Sequence, residues 1–522
     1  MSQRNTRTKK SIKNAVVSTT YYLIILLLSF FSRRLFFEYL GSEVLGLNAT
    51  AQDMFAILNL SELGIGSAVA FLLYKPLFEK DTKHIKEIIS VQGWLYRKIA
   101  LFIIIASCVL MCFFPLIFAK SSLPLGYAYI LFSVILTGAV ISYFFNYRQI
   151  LLNADQKNYK IQRITMGVEA LKIIVQMVVV TQIRNPFFWW VGAELCSKIL
   201  CAILLDRLIK KEYPWLELQI AEGKELNKQH PEIIKKTKQI FFHKIAGVAM
   251  SNSSSPILYA FTSLTTVAFY GNYQVVLTKL TNLTKNLFSS TVAAIGDLVA
   301  EGDKKAEKRV FWELLDSKML IAGIVVICMY YLTQPFISSW LSADYLLGTN
   351  FLTIYLVMQG IQLTRGTVDS FISAHGMYQD IWAPITEACL NIGLSILFGY
   401  LWGLEGIILG VTVSLIIIVE IWKPCFLFIY GLKESPLPYF ARIAGRWAVI
   451  IGVAFICGKI IPLLPFHEEA GTSIFKWGIF AIETACVVSL ILFPIFLTFS
   501  KGLRAFLKRM RSVAADLRPG RH

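Results

Sequence analysis

The most constraining feature of this sequence is a series of long apolar runs that recurs along the chain from Val16 to Phe499. An α-helix rises about 1.5 Å per residue, so a run of about 20 residues spans the roughly 30 Å hydrocarbon core of a bilayer. Hydrophobic residues make up 56% of the chain, and the mean hydropathy is +0.60. Soluble domains rarely average so high. The sequence therefore predicts an all-α integral membrane protein.

Polar breaks divide these runs into about fourteen predicted transmembrane helices. The longest polar stretch, residues 209–239, is predicted to be a cytoplasmic linker between two six-helix lobes. We expect an N-terminal lobe with helices 1–6 in residues 1–208 and a C-terminal lobe with helices 7–12 in residues 240–430. Residues 431–522 are expected to form two further helices and a basic cytoplasmic tail. Paired lobes are a common transporter plan, with the substrate site near the membrane midplane.

The positions of the basic residues predict the orientation of the chain. Most of the 51 lysines and arginines fall in every second loop and in the two terminal segments. Because basic residues accumulate on the cytoplasmic side, this alternation predicts an even number of helices with both termini in the cytoplasm. The net charge of +18 would suggest nucleic-acid binding in a soluble protein. Here it follows membrane topology, so we expect no nucleic-acid partner.

Motifs that would indicate a metal, a cofactor or catalysis do not stand out. The nine cysteines lie within or at the ends of apolar runs, and none forms a CxxC motif. Small hydrophobic core residues are the simpler interpretation of these cysteines. The sequence has no GxxxxGK[ST], HExxH or GxSxG motif. We therefore expect no metal, no cofactor and no enzyme activity.

Charged residues lie inside the first two predicted helices. Arg33 and Arg34 lie near the end of the first helix, and Asp53 and Glu62 lie in the second. Charges within membrane segments are expensive, so they usually face a cavity or a partner. We expect at least one arginine to bind an anionic head group, because a guanidinium binds phosphate with two hydrogen bonds. The alternative is that both arginines anchor the helix at the outer interface.

The eighth predicted helix, Thr266–Leu287, is unusually polar. Its candidate substrate-binding residues are Lys279, Asn282, Lys285 and Asn286. The spacing of Lys279, Asn282 and Asn286 places them on one helix face. Because so polar a helix is poorly suited to lipid, we expect it to line a cavity. There, lysine would suit phosphate and asparagine would suit sugar hydroxyl groups.

Four residues are candidates for a coupling-ion site or for counter-ions. Asp53 and Glu62 are candidate counter-ions for Arg33 or candidate coupling sites. Arg365 and Asp369, four apart on the tenth predicted helix, belong to the same class of candidates. For this pair we favour a structural ion pair one helical turn apart.

Several motifs resemble a known family of transporters. The segment Ser32–Arg97 contains SRRLFFEYLGSEVLGLN and NLSELGIGSAVAFLLYKPLFEKD. Later segments read LLNADQKNY at Leu151–Tyr159 and YGNYQVV at Tyr270–Val276. These motifs resemble polysaccharide flippases of the Wzx type, within the multidrug/oligosaccharidyl-lipid/polysaccharide exporter superfamily. The resemblance is strong up to Tyr159 and patchy afterwards.

The resemblance implies fourteen helices in two lobes around a central cavity, in the bacterial inner membrane. It implies that the chain moves undecaprenyl-pyrophosphate-linked oligosaccharide by alternating access during O-antigen, lipopolysaccharide or capsule biosynthesis. The implied partners are this lipid-linked oligosaccharide, membrane lipids, a polysaccharide polymerase and glycosyltransferases. One alternative is a cation-coupled multidrug exporter of the same fold, whose cavity would favour carboxylates. A second is a membrane enzyme of cell-wall polymer assembly, which the short outer loops disfavour.

Overall fold

The structure is a computed structural model that confirms the predicted all-α architecture. It describes isolated positions between 233 and 247 and between 288 and 299, together with residues 2–59, 65–155, 157–231, 252–286, 301–377, 379–380 and 382–516. The described residues contain helices and connecting turns, and no β-strand occurs among them. Within this part, eight helices are long and apolar enough to cross a membrane. The chain is a multi-pass membrane protein, and the number of fourteen spans stays a prediction.

Packing divides the chain into two compact units, Met1–Ala268 and Phe269–His522. This division falls beyond the predicted linker, residues 209–239, and the assignment of two lobes stays a prediction. The helices described in the first unit are α1 Ser2–Leu40, α2 Ser42–Leu58, α3 Ile65–Glu79, α4 Thr82–Cys112, α5 Phe114–Ile117, α6 Leu125–Phe145, α7 Gln149–Ala154, α8 Asn158–Gln182, α9 Pro186–Glu212, α10 Gly223–Gln229 and α11 Ser254–Phe261. The next helix, α12 Leu264–Asn286, begins in the first unit and continues into the second.

Two glycines position α2. Gly41 has a φ of 83°, a conformation that favours glycine, and it separates α1 from α2 in a single residue. The second helix therefore begins at Ser42, earlier than the start at Asn48 that the polar composition of this stretch predicts. Gly46 lies against the backbone of Leu264, where a Cβ atom would overlap the carbonyl oxygen. Only glycine allows this close approach between α2 and the start of α12.

The second unit contains the remaining described helices. They are α13 Lys304–Trp340, α14 Thr349–Thr364, α15 Gly366–Ala374, α16 Trp382–Leu415, α17 Lys423–Phe426, α18 Leu437–Ile460, α19 Ile474–Phe499 and α20 Lys501–Asp516. Two π-helical turns, Ile416–Trp422 and Leu427–Leu432, flank α17.

The segment α16 is a tight helical hairpin. Gly403 within it has a φ of 60° and a ψ of −129°, which is not helical. Ser395 Oγ donates a hydrogen bond to the Ile407 carbonyl at 3.1 Å. Residues twelve apart in a straight helix are separated by about 18 Å, so the chain reverses direction at Gly403. Gly410 supports the same conclusion, because a Cβ atom there would overlap the Ser395 backbone. The two predicted helices of this region therefore meet at Gly403.

The C-terminal helices are fastened to α13 by buried ionic contacts. Asp316 on α13 is buried, forms an ion pair with Arg446 on α18, and accepts a hydrogen bond from Ser500. Glu313, one turn earlier, pairs with Arg509 on α20 at 3.0 Å. Buried carboxylates need such partners because desolvation is costly. These contacts hold the predicted extra helices and the start of the basic tail within the second unit.

We predict that Gly46→Ala destabilises the protein. The added methyl group must displace the Leu264 backbone, and such overpacking costs about 1–3 kcal/mol. The measurement is the thermal unfolding midpoint of the full chain in detergent. Gly192→Ala in α9 is the matched control, because its Cβ would meet no atom within 4 Å. That variant should be neutral or stabilised by up to about 1 kcal/mol. Equal behaviour of the two variants would contradict the packing described for α2.

Candidate functional site

The structure separates the two arginines of α1. Arg33 is half-buried, and its Nη2 donates a hydrogen bond to the Ala268 carbonyl oxygen at 3.3 Å. Its guanidinium carbon lies 5.6 Å from the centre of the Phe37 ring. Arg34 is exposed. Arg33 therefore points into the first unit toward α12, whereas Arg34 points away from the packed interior.

The acidic candidates of the second predicted helix are Asp53 and Glu62. Asp53 on α2 is half-buried and accepts hydrogen bonds from the side chain and the backbone N–H of Ser255 on α11. Ser255 therefore stabilises this carboxylate inside the first unit. Glu62 lies outside the described residues. The roles of both residues as counter-ions or coupling sites stay predictions.

In the second unit, polar side chains connect α12 to α14. Thr281 Oγ1 donates to Gln359 Oε1 at 2.7 Å, and both side chains are buried. Two more side-chain hydrogen bonds connect the same two helices. They join Thr278 to Tyr355 at 3.4 Å and Lys285 to Gln362 at 3.2 Å. The partner numbers rise together, so α12 and α14 run in the same direction. Some polar residues of α12 therefore pack against α14, and others are exposed.

The predicted binding residues of α12 lie beside this polar contact. Asn282 and Lys285 are exposed, and Lys279 is half-buried. Asn286 ends the helix, and its side chain lies outside the described residues. The exposed amide and ammonium groups form a polar surface on a helix of the second unit. This surface is the candidate substrate-binding site of the second unit.

A charged cluster lies at the junction of α14 and α15. Asp369 accepts from Arg365 Nε through one carboxylate oxygen and from Lys423 Nζ through the other, both at 2.9 Å. Arg365 and Asp369 thus form an ion pair one turn apart, and Lys423 completes a triad. Both carboxylate oxygens of Asp369 accept hydrogen bonds, which is the geometry of an ion-pair triad that stabilises the fold.

The sequence alone missed three members of this cluster. Lys423 lies 54 residues from Asp369 in sequence, so only the fold brings the two together. Glu387 and Glu420 interact electrostatically with Arg365. Glu420 had a signal that sequence reasoning could have used, because it is an acidic residue within a long apolar run.

An apolar groove of about 810 Å³ lies within the second unit. It is lined mainly by apolar and aromatic side chains of α13, α14 and α18, including Ile327, Tyr330, Leu356, Trp447 and Phe455. Glu420 contributes a carboxyl group to its wall. A groove of this size and polarity is chemically suited to a hydrocarbon chain.

The LLNADQKNY motif carries a polar network between α7, α8 and α9. Asp155 accepts from the Tyr213 hydroxyl at 2.9 Å and pairs with Lys157 at 2.7 Å. Glu212 pairs with Lys157 at 3.2 Å and also with Lys160. Burial alone would lower the pKa of Lys157, but the two carboxylates outweigh it and raise that pKa above its ordinary value. These contacts connect α7, α8 and α9, so we interpret the motif as structural.

Comparisons with known proteins address the fold. Lipid II flippase MurJ in an inward closed conformation aligns with a TM-score of 0.64 and 16% sequence identity, over 92% of this chain and 98% of that chain. A multidrug resistance MATE family transporter of the MOP superfamily, in an inward-facing conformation, aligns with a TM-score of 0.59 and 13% identity, over 78% of this chain and 95% of that chain. The chain has the fold of these transporters.

No protein-family model matches the sequence. No curated protein sequence matches it either. The two structural neighbours show the fold alone, so the superfamily and the Wzx type both stay predictions. Identities this low carry no information about individual substrates.

We predict that Asp369→Asn destabilises the protein, because it leaves Arg365 and Lys423 without their shared carboxylate. The Arg365 and Asp369 side chains are 21% and 34% exposed. The expected loss is therefore about 1–3 kcal/mol, below the full cost of stranding a buried charge. Thermal unfolding in detergent measures it, and adding Arg365→Gln should restore part of the stability.

Glu225→Gln on α10 is the matched control for Asp369→Asn. Glu225 also pairs with a lysine one turn away, Lys228, at 3.0 Å, but the two side chains are 65% and 67% exposed. Exposed pairs contribute about 0–1 kcal/mol. If Asp369→Asn changed stability no more than Glu225→Gln, the triad would not stabilise the fold.

Proposed function

We propose that the protein is a flippase that moves a polyprenyl-pyrophosphate-linked oligosaccharide across the bacterial inner membrane by alternating access. The observation that carries this proposal is the polar, cationic surface of α12, with Asn282 and Lys285 exposed and Lys279 half-buried. A membrane helix with such a surface needs a polar substrate or water beside it. The fold, which the chain shares with a lipid II flippase, supports a lipid-linked substrate.

The substrate head group is proposed to bind the basic side chains. Phosphate oxygens accept hydrogen bonds from guanidinium and ammonium groups, and such charge-assisted bonds are the strongest of their kind. We assign phosphate binding to Arg33, Arg34, Lys279 and Lys285, with Arg33 as the principal residue because its side chain points inward. The amides of Asn282 and Asn286 suit sugar hydroxyl groups.

The membrane potential favours the proposed direction of transport. The cell interior is negative, so outward movement of each negative charge is favoured by about 2.3 kcal/mol per 100 mV. Removing the pyrophosphate from water opposes the movement. Fixed basic residues along the route lower this cost without needing a metal.

The lipid tail is proposed to lie in the apolar groove of the second unit. The groove opens among Tyr330, Val357 and Phe455, whose exposed side chains suit contact with a hydrocarbon chain. Burial of apolar surface contributes about 25 cal/mol per Å². The polymerase and the glycosyltransferases of the same pathway are proposed partners, and the inner membrane is the proposed location.

A cation-coupled multidrug exporter is the second candidate function. Asp53 favours it, since a half-buried carboxylate suits a cation or a cationic drug. The MATE family transporter with a similar fold supports the same alternative. The two candidates differ in the sign of the substrate charge, so Asp53→Asn should abolish drug resistance only in the exporter.

We predict that Arg33→Ala lowers export of surface polysaccharide by about 10- to 100-fold, because a hydrogen bond to a charged group contributes about 1.5–3 kcal/mol. Arg33→Lys should retain part of the export, since it keeps the charge but loses the bidentate geometry. The measurement is surface polysaccharide in cells whose only copy of the gene carries the change, with protein levels checked by immunoblot.

Arg34→Ala is the matched control, because it removes the neighbouring arginine from the exposed side of the same helix. It should retain more export than Arg33→Ala. Normal export by Arg33→Ala at normal protein levels would show that Arg33 is not the head-group residue. A loss confined to Arg34→Ala would reverse the assignment of the pair.

A further inference from the structure

A cluster of three potential metal ligands joins α4 to the segment after α10. His84 and Glu87 lie in the first two turns of α4, and His230 directly follows α10. His84 and His230 are two of the six histidines of the chain, and they come from segments that are distant in sequence. Neither histidine belongs to the transport site proposed above. Both segments are predicted to face the cytoplasm.

The ligand atoms of this cluster have the spacing that a small metal ion requires. Glu87 Oε2 lies 3.0 Å from His230 Nε2 and 3.7 Å from His84 Nδ1. The three ligand atoms all lie within 4.8 Å of one another. Ligands at about 2.0–2.2 Å from a tetrahedral zinc ion are about 3.3–3.6 Å apart. The observed distances bracket this separation, so small side-chain movements close the site.

The surrounding structure fixes the backbone of all three residues. Asp81 caps α4 by accepting a hydrogen bond from the His84 backbone N–H at 3.0 Å. Farther along α4, Ser90 Oγ accepts from the Gln219 backbone N–H at 3.0 Å. Gly223, at the start of α10, packs so closely that a Cβ atom would lie 2.9 Å from Trp94 Cγ. The segment 219–230 is therefore docked along α4, and docking brings His230 to Glu87.

The three ligand side chains are partly or largely buried, but the site is accessible from solvent. The side chain of His230 is 8% exposed, that of Glu87 is 19% exposed and that of His84 is 39% exposed. Lys228, the nearest lysine in sequence to His230, pairs with Glu225 at 3.0 Å. The more exposed His84 gives an ion an entry path to the buried side of the site.

We propose that His84, Glu87 and His230 form a binding site for a divalent transition-metal ion of the zinc class. Two imidazoles and one carboxylate favour zinc, cobalt or nickel over magnesium and calcium, which prefer oxygen ligands alone. Three protein ligands leave a fourth position open to water or another donor. A bound ion would tether the segment after α10 to the start of α4. It would thereby stabilise the first unit, by an amount that grows with the logarithm of the free ion concentration once that concentration exceeds the dissociation constant.

The test uses the full chain in detergent, purified through an affinity tag without histidine. After incubation with zinc and removal of free metal, elemental analysis should find one zinc ion per chain. Zinc should raise the thermal unfolding midpoint, whereas magnesium should not. Cobalt should give the intense visible absorption of a tetrahedral site. A weak octahedral cobalt spectrum, or no retained zinc, would overturn the proposal and leave only a histidine–glutamate hydrogen bond.

Variants locate the ion. His84→Ala and His230→Ala should each lower zinc affinity by at least about tenfold. Glu87→Gln, which keeps hydrogen-bonding capacity, should do the same, and this variant keeps the test decisive if an alanine variant fails to fold. His375→Ala is the matched control, because His375 pairs with Glu307 at 3.3 Å but belongs to no group of three metal-ligating side chains among the described residues. Zinc retention that is unchanged in all three site variants, or lost equally in the control, would place the ion elsewhere.

Discussion

The need to satisfy polar groups away from water is the constraint on which this structure depends. A helix that crosses a membrane cannot leave a charge or a hydrogen-bonding side chain unpaired without a cost of several kcal/mol. Several charged side chains in the described part of the chain meet that need through contacts within their own unit. Asp369 pairs with both Arg365 and Lys423. Asp316 forms an ion pair with Arg446 and accepts a hydrogen bond from Ser500. These contacts, together with apolar burial, position the helices that carry the candidate site.

The same constraint underlies the choice of the proposed substrate site. Several acidic groups of the second unit interact with basic ones, as Glu387 and Glu420 do electrostatically with Arg365. The surface of α12 is different, because Asn282 and Lys285 are exposed there, although Lys285 also donates a hydrogen bond to Gln362. Exposed polar groups on this surface can hydrogen-bond to a polar substrate. An apolar groove in the same unit offers a place for a hydrocarbon chain, so both parts of an amphiphilic substrate find suitable chemistry.

The fold class could be predicted from the sequence because the length of an apolar run is set by membrane thickness alone. Local features needed backbone geometry. The start of α2 at Ser42 depends on a single positive φ at Gly41, and the hairpin depends on Gly403. Contacts distant in sequence were out of reach, as Glu87 and His230 show at a separation of 143 residues. For the candidate site, the residue types of α12 were visible, but the separation of Arg33 from Arg34 required packing.

Transport by the purified protein tests the central claim most directly. The full chain would be reconstituted into liposomes that contain a fluorescent polyprenyl-pyrophosphate-linked oligosaccharide, and a membrane-impermeant quencher would report how much substrate changes leaflet. Liposomes without protein and liposomes with Arg33→Ala serve as controls, and uptake of a cationic dye is measured in parallel. The account predicts rapid, protein-dependent exchange of the lipid-linked glycan that is slowed by Arg33→Ala, with no uptake of the dye. Uptake of the dye without exchange of the lipid-linked glycan would contradict it.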